Sequence, residues 1–368
     1  MDGALDLVDP TGQDAAQSTP ASRLSWSLTI CTYNRPHFLL PMVGYVAQQT
    51  RLPREVVIVD ASDDWQDSKA ALLAAYPEFW ETVTLTHVPA KVRAVAYQRN
   101  QALDLTSGDI VFSLDDDIYL YPDTADTIMR IYEADPEQRI AMVGALFADL
   151  PPEAAQEDDS AVVDSPAPGL KQRLRSWLEA QMTLDRHFVP YGKPVDRSPL
   201  EELTLPVRVF ATGLINGGRM TFRRGYGVQT RWSELLRYYA THEDSDFSYR
   251  MSAHGRLVTA PDARLFHADG NERVLKPYRV NLIRVRNMMA LTRVSSARKP
   301  ISALKLMRSF LKYAALYALI DPIRKRFTLP TVRAYLYGAL QVPFFLFAPI
   351  RDFKSWYIAL QERMYQTR

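Results

Sequence analysis

The chain has a single cysteine, Cys31, among 368 residues. One thiol excludes a disulfide-stapled scaffold and a zinc site built from cysteines. No window approaches about 18 uninterrupted apolar residues, which argues against a simple transmembrane helix. The first 25 residues contain no apolar segment after a basic patch. We therefore expect no secretory signal and a cytoplasmic location.

The chain does contain enough apolar residues, 47%, for one large hydrophobic core or two moderate ones. Its net charge of +2 conceals a strong division along the sequence. Residues 271–368 hold 19 basic and 4 acidic residues, whereas residues 1–270 hold 25 basic and 38 acidic ones. The basic C-terminal region favours an anionic partner: a membrane surface, a nucleic acid or the acidic part of the chain itself.

Hydrophobic periodicity divides the chain into regions. Residues 1–24 have no apolar period and predict a disordered tail. Beyond them, apolar runs predict strands at 27–32, 55–60, 82–88, 110–114 and 141–147, separated by helices at 38–49, 65–76, 94–105 and 124–134. This alternation indicates an α/β fold with a mostly parallel sheet flanked by helices.

The remaining regions interrupt or follow this domain, which we expect to span 25–270. An insertion is expected at 149–206, with an acidic, proline-rich loop at 149–168 and an amphipathic helix at 170–184. A basic, apolar, helical region is expected at 271–368.

Polar residues follow three of the predicted strands directly. In open α/β sheets, ligands bind where the carboxyl ends of the strands meet, so these residues are candidates for a site. In chain order they are Thr32-Tyr33-Asn34-Arg35, Asp60-Ala61-Ser62-Asp63-Asp64 and Asp115-Asp116-Asp117.

The three adjacent aspartates predict a cation, because like charges at one strand end repel one another. Hard cations such as Mg²⁺ and Mn²⁺ prefer oxygen ligands and keep waters and substrate phosphates in their remaining positions. Alternation along an extended chain directs Asp115 and Asp117 to the same side, so these two are the expected inward pair. A solvated acidic turn is the alternative.

A second acidic group occurs at Glu243, Asp244 and Asp246. If a helix begins near Asp244, its positive end faces these carboxylates, and Phe247 and Met251 face the core. One carboxylate then serves as a general base, or the group only caps the helix. His267 follows a short apolar run and is either a metal ligand or a structural histidine.

The order of these motifs resembles the inverting family 2 glycosyltransferases, which have the GT-A nucleotide-diphospho-sugar fold. The resemblance covers about residues 26–290. The matching segments are Thr32-Tyr33-Asn34-Arg35, Val59-Asp60, Gln98-Arg99-Asn100, Leu114 through Asp117, Asn216-Gly217-Gly218, Phe222-Arg223-Arg224, Glu243-Asp244, Phe247-Ser248-Tyr249-Arg250 and His267.

The resemblance implies a role for each matching position. Asp244 would be the catalytic base, and a divalent metal, Mn²⁺ or Mg²⁺, would be held by Asp115, Asp117 and His267. Asp60 would accept a hydrogen bond from the base, and the other nucleotide-binding residues would be Thr32, Tyr33, Arg35, Arg99, Asp115 and Asp116. The sugar and the acceptor would be contacted by Asp116, Asn216, Gly217, Gly218 and Glu243. Arg286-Asn287 resembles a pair found after the catalytic domain in polysaccharide-forming members.

The resemblance also implies the reaction. A sugar would pass from a nucleotide-diphospho-sugar, with UDP or dTDP favoured, to a hydroxyl of a glycan or lipid-linked acceptor, in surface polysaccharide or glycolipid synthesis. No Gln-x-x-Arg-Trp motif follows Asp244, which argues against a processive synthase. A nucleotidyltransferase and a non-catalytic glycan- or lipid-binding scaffold are the alternatives, although the loop after the first strand lacks the glycines that a triphosphate site usually has.

The sequence leaves three interpretations of the basic C-terminal region open. The region would contact the inner face of an anionic membrane, pack on the catalytic domain, or mediate formation of a homo-oligomer. No nucleic-acid-binding motif supports a nucleic acid as its partner.

Overall fold

The computed structural model describes residues 23–153, 191, 195–198, 203–238, 240–268 and 276–366. The expected tail at 1–24, except its last two residues, and the expected helix at 170–184 lie outside these ranges. So does most of the insertion expected at 149–206, including its acidic loop from residue 154 onward.

A single nine-stranded sheet organises the described residues from 23 to 268. Its strands are β1 (Trp26–Thr32), β2 (Glu55–Asp60), β3 (Thr84–Pro89), β4 (Ile110–Asp115), β5 (Ile118–Leu120), β6 (Ile140–Ala148), β7 (Phe210–Ala211), β8 (Met220–Arg223) and β9 (Arg256–His267). Their order is β3-β2-β1-β4-β8-β6-β9-β5, and β7 pairs with β9. Only β5, β7 and β8 run against the common direction, so the predicted α/β class with a mostly parallel sheet is confirmed.

Within the described ranges before residue 269, the α-helices are α1 (Pro36–Ala47), α2 (Trp65–Ala75), α3 (Pro77–Thr82), α4 (Val95–Leu105), α5 (Thr124–Glu133), α6 (Arg224–Thr230) and α7 (Glu243–Met251). α1 begins two residues before the prediction, at Pro36, because the fixed φ of proline suits the first helical position. The short elements α3 and β5 were not predicted.

Burial explains why these segments form the centre of the molecule. Every residue of β2 is buried, as a strand covered by helices on both faces requires. Helices α1 and α5 pack on one face of the sheet, through residues such as Val43 and Ile128. Ala96 of α4 and Phe247 of α7 belong to the core on the other face. The parallel pairing of β1 with β2 and β4 brings their carboxyl ends to one edge.

Residues 276–366 confirm the predicted helical character of the C-terminal region. They form α8 (Pro277–Ser295), α9 (Lys299–Ile323), α10 (Pro330–Phe347) and α11 (Phe353–Gln366). These helices share a core containing Phe310, Tyr335 and Phe345, and Leu235 and Leu236, from between α6 and α7, pack into it. No helix in the described part of the chain has the length and apolar character needed to span a bilayer.

Candidate active site

The polar ends of β1, β2 and β4 meet at one edge of the sheet. In the parallel register, Thr32 lies opposite Asp60, and Cys31 lies opposite Asp115. The edge that the sequence predicted as a site is therefore formed.

The chain turns immediately after Asp115, and this turn separates the three aspartates. Arg35 pairs with both residues of the turn: Nη1 lies 2.6 Å from Oδ1 of Asp116, and Nη2 lies 2.7 Å from Oδ2 of Asp117. The hydroxyl of Thr32 donates to the other oxygen of Asp116 at 2.6 Å. Because β4 ends at Asp115, the extended alternation that predicted an inward pair of Asp115 and Asp117 does not continue to Asp117, and that pairing stays a prediction.

The surroundings of the two turn residues shift their pKa values in opposite directions. Burial raises the pKa of Asp116 to about 7, although Thr32 and Arg35 act against this shift. Burial also acts to raise the pKa of Asp117, but His267 and Arg35 outweigh it, and the pKa is lowered. Asp117 is therefore the more readily ionised carboxylate of this pair.

His267 reaches Asp117 through the pairing of β9 with β5. Ile118 lies opposite His267 in that pairing, and the N–H of Ala268 donates to the carbonyl of Asp117 at 2.9 Å. Nε2 of His267 lies 3.4 Å from Oδ1 of Asp117. The fold thus joins two of the three predicted metal ligands, which are 150 positions apart in the sequence.

This pair suits a divalent cation. Oδ1 of Asp117 is buried, and no described group satisfies it with a hydrogen bond of normal geometry. Within the described ranges, no cluster of three or more His, Cys, Asp or Glu side chains is close enough to hold a metal. Mg²⁺ is commonly held by one or two carboxylates together with substrate phosphates and waters, so a two-residue protein contribution fits that pattern.

Arg99, on α4, links β4 to α7. Its Nη2 lies 2.8 Å from Oδ1 of Asp115, and its Nη1 lies 2.6 Å from Oε1 of Glu243. Burial lowers the pKa of Arg99, but the two carboxylates outweigh it and raise the pKa overall. A Cβ atom on Gly217 would lie 2.6 Å from Nη2, so the guanidinium occupies space that only a glycine leaves open.

Asn100, the next residue on α4, forms two hydrogen bonds to the backbone of Trp232. Its side-chain oxygen accepts from the N–H of Trp232 at 2.8 Å, and its amide donates to the carbonyl of Trp232 at 3.0 Å. The loop that leads towards α7 is therefore fixed to α4 through both backbone polar groups of Trp232.

The three acidic residues of α7 have different environments. Burial raises the pKa of Glu243 to about 8, against the opposing effect of Arg99. Asp246 is buried and accepts from Arg250 at 2.6 Å and from the hydroxyl of Tyr191 at 2.5 Å, so its role is structural. Asp244 is half-buried, and its Oδ1 accepts from the N–H of Ser245 at 2.7 Å.

The predicted orientation of α7 is confirmed, since Phe247 and Met251 are buried in the core. The helix begins at Glu243, directly after His242, whose φ of 76° lies in the left-handed region. A non-glycine residue in that region costs conformational free energy, so the surrounding contacts must hold the entry to α7 in place.

The C-terminal helices supply part of that support. Nδ2 of Asn287, on α8, donates to the carbonyl of Thr241 at 2.9 Å, and its side-chain oxygen accepts from the hydroxyl of Tyr357 at 2.5 Å. Gln361, on α11, donates to the carbonyl of Leu235 at 2.9 Å. The segment that precedes Asp244 is thus held by α8 and α11.

An open pocket of about 700 Å³ lies between these elements. Eight predicted site residues line it: Arg99, Asp115, Asn216, Gly217, Gly218, Glu243, Asp244 and His267. Phe147, Thr241 and Arg284 are among the further lining residues that the sequence analysis did not select as site residues. Arg284 comes from α8, and its only sequence signal was its proximity to Arg286-Asn287. Phe147 lies beside His267, with the ring centroids 5.8 Å apart.

The other predicted residues lie beside the pocket rather than on its wall. Asp60 is buried; its Oδ1 accepts from the N–H of Ser62 at 2.8 Å, and its Oδ2 lies 3.3 Å from Nε2 of His87, a partner that the sequence analysis missed. Tyr33 is exposed, with the guanidinium of Arg93 5.7 Å from its ring centroid. Thr32, Arg35, Asp116 and Asp117 form the hydrogen-bonded group described above. Their roles towards a nucleotide stay predictions.

Comparisons with known proteins agree with this arrangement. Residues 27–149 match the family described as Glycosyl transferase family 2. A segment of 127 residues is 28% identical to the glucosyl-dolichyl phosphate glucuronosyltransferase of Haloferax volcanii. That match covers 33% of this chain and 38% of the relative.

Two solved structures resemble the whole fold. One is the mannosyltransferase PcManGT from Pyrobaculum calidifontis in complex with GDP-Man and Mn²⁺, with a TM-score of 0.51, 16% identity and 88% of each chain covered. The other is GalNAc-T7 with UDP, GalNAc and Mn²⁺, with a TM-score of 0.52, 13% identity and coverage of 88% of this chain and 58% of that one. At these identities the likeness concerns the fold, which is GT-A-like. Residues 27–149 thus match the family described as Glycosyl transferase family 2, and the fold of the chain is similar to that of two structures solved with a nucleotide or a nucleotide sugar.

Proposed function

We propose that this protein transfers a sugar from a nucleoside-diphosphate sugar to an acceptor hydroxyl, with inversion at the anomeric carbon. The observation that carries the proposal is the meeting of Asp115, Asp244 and His267 on one pocket. These residues come from the ends of β4 and β9 and from the start of α7. A candidate base and candidate donor-binding groups thus share the space in which a sugar would react.

Asp244 is the best candidate for the general base. An acceptor hydroxyl has a pKa far above 7, so a positioned carboxylate must take its proton as it attacks. Glu243 is buried, and its Oε1 lies 2.6 Å from Nη1 of Arg99, so this carboxyl is already engaged in the contact that links α4 to α7. Asp246 is buried against Arg250 and does not line the pocket. Asp244 lines the pocket, is half-buried and has one oxygen outside its contact with Ser245.

Asp117 and His267, with Asp115 nearby on the pocket wall, would hold a divalent cation such as Mn²⁺ or Mg²⁺. When bound, the cation would supply positive charge where the leaving diphosphate develops negative charge. Arg99 fixes the carboxylate of Asp115, and Arg35 fixes Asp116 and Asp117, so these side chains stay oriented. A single in-line displacement with one base needs no covalent nucleophile, and it inverts the anomeric centre.

We extend the proposal to the donor nucleotide and to the acceptor. We propose a UDP or dTDP sugar, with Asp60, Thr32 and Tyr33 near the base and ribose. The proposed acceptor is a hydroxyl of a glycan or a lipid-linked sugar in surface polysaccharide or glycolipid synthesis. It would enter past Asn216, Gly217 and Gly218, which line the pocket. The similar solved structures contain GDP-Man or UDP, so the test panel includes both bases.

Asp244→Asn tests the proposal. We expect native protein to release nucleoside diphosphate from a cognate donor in the presence of acceptor, and D244N to lose about a hundredfold or more of that turnover while still binding nucleotide. Asp67→Asn is the matched control, because Asp67 lies in the first turn of α2, outside the pocket. Undiminished turnover in D244N would refute its assignment as the base. A native protein that binds donors but transfers no sugar would favour the scaffold alternative.

A further inference from the structure

Helices α9 and α10 form a two-helix unit whose outward side is apolar. Their inward sides already fill the C-terminal core with residues such as Phe310, Tyr313 and Tyr335. Eight large apolar side chains on these helices and their connection are each more than half exposed: Leu304, Leu311, Leu319, Ile323, Phe327, Leu340, Phe344 and Phe347. We call these eight side chains the outer face. A cluster of exposed apolar side chains marks a surface that contacts a protein or a membrane.

The charges beside the outer face have one sign. Between residues 299 and 347 the sole acidic residue is Asp321, which is buried and accepts from Thr331 at 3.0 Å. Exposed basic side chains surround the outer face on both helices and on the connection between them: Lys305, Arg308, Lys312, Arg324, Lys325 and Arg333. No exposed carboxylate offsets them within 299–347.

We propose that the outer face docks on an anionic lipid bilayer. The apolar side chains would enter the boundary between headgroups and acyl chains, and the surrounding lysines and arginines would contact lipid phosphates. This mode needs no spanning helix, in agreement with the absence of one from the described residues. Apolar insertion and electrostatic attraction act together, which is what holds an interfacial helix at a membrane.

Two other occupants fit the outer face less well. In a symmetric dimer, the face would meet itself, and the basic side chains of one copy would lie near those of the other, while residues 299–347 contain no exposed carboxylate. A nucleic acid would match the basic residues, but it offers no apolar surface for Ile323, Phe327 and Leu340. The bilayer offers both kinds of contact.

The docking surface is joined firmly to the candidate active site. Helix α8 carries Arg284 on the pocket wall and packs closely against α10: a Cβ atom on Gly338 would lie 2.8 Å from Cγ2 of Val285. Arg286 donates to Gln341 of α10 at 3.2 Å. A protein held on a bilayer by α9 and α10 would therefore carry its pocket at the membrane, where a lipid-linked acceptor is located. That consequence rests on the proposed function; the docking itself does not.

Vesicle co-sedimentation tests the docking. Full-length protein is mixed with vesicles of phosphatidylcholine alone or of phosphatidylcholine with phosphatidylglycerol. We expect binding to the anionic vesicles that falls as salt increases, and at least about tenfold weaker binding to the neutral ones. The variant Ile323→Ser/Phe327→Ser/Leu340→Ser should lose at least about tenfold in partitioning, because it removes three inserting side chains. Arg324→Gln/Lys325→Gln should lose mainly the salt-sensitive part.

Leu73→Ser is the matched control, since Leu73 is an exposed leucine on α2 and should not affect binding. Circular dichroism confirms that each variant is folded. Failure of the native protein to bind anionic vesicles would overturn the proposal, as would triple-variant binding equal to native. Light scattering that shows a native dimer, turned into a monomer by the triple variant, without vesicle binding, would assign the outer face to self-association instead. Because none of these measurements uses turnover, their failure is distinct from failure of the proposed function.

Discussion

Replacing Gly217 by alanine should displace Arg99, the residue that ties β4 to α7. The new Cβ would lie 2.6 Å from Nη2 and 3.0 Å from Nη1 of Arg99. The guanidinium cannot move aside without lengthening its contacts to Asp115 and Glu243, which are 2.8 and 2.6 Å long. Overpacking of this kind costs about 1–3 kcal/mol, and loss of one charged hydrogen bond costs about 1.5–3 kcal/mol. We therefore expect G217A to lower the free energy of unfolding by about 2–4 kcal/mol.

The chain offers a matched control for this substitution. A Cβ atom on Gly225, in α6, meets no other atom within 4 Å. G225A should therefore leave stability unchanged or raise it by up to about 1 kcal/mol, because alanine favours a helix over glycine. Turnover of G217A should fall about tenfold or more, since Asp115 and Glu243 line the pocket, whereas G225A should keep native turnover.

Denaturant unfolding of a double-mutant cycle identifies the cause. In an Arg99→Met background the guanidinium is gone, so G217A should cost less than about 1 kcal/mol there. A full cost for G217A in that background would refute the reasoning, because the clash would then involve some other group. Native stability and turnover in G217A itself would also refute it.

Two more predictions concern the segment around Asp244. The carboxyl of Glu243, whose pKa is raised to about 8, binds its proton more tightly in the folded protein than in the unfolded chain. Its contribution to the free energy of unfolding therefore decreases by a few kcal/mol as pH rises from about 4.5 to 8. Across this range the melting temperature of native protein should fall relative to that of Glu243→Gln. A constant difference between pH 5 and pH 8 would contradict the raised pKa. Asn287→Ala should lower kcat by about tenfold with little change in the KM for the donor, because Asn287 holds Thr241, near Asp244, rather than the nucleotide. Tyr357→Phe, which keeps Asn287 but removes one of its partners, should show a smaller effect in the same steady-state assay, and equal changes in kcat and KM would count against a positioning role.

Local patterns were sufficient to predict much of the α/β core from the sequence. The strand predicted at 55–60 coincides with β2, and the apolar spacing of Phe247 and Met251 gave the correct inner side of α7. These features depend on neighbouring residues alone. Periodicity did not reveal that β4 ends at Asp115, so the predicted inward pair of Asp115 and Asp117 rested on an alternation that the turn interrupts.

The sequence pattern could not predict which distant strands pair in the sheet. No local sequence signal predicts that β8 lies between β4 and β6 or that β5 pairs with β9. The pairing of β5 with β9 brings Asp117 to His267. The bridging position of Arg99 and the entry of Arg284 into the pocket likewise depend on contacts between distant segments. The resemblance to a family selected the candidate residues, while their partners became known only from the fold.

Thermal denaturation with nucleoside diphosphates tests the central claim most directly. Native protein and Asp117→Asn are melted with UDP, dTDP or GDP, each with Mn²⁺ or with a chelator, and exposed Asp67→Asn on α2 serves as the control. A ligand that binds only the folded state raises its melting temperature. The account predicts a rise of several degrees for one base with Mn²⁺ in the native protein and in D67N, and little or none with chelator or in D117N. An equal rise in chelator, or in D117N, would contradict it.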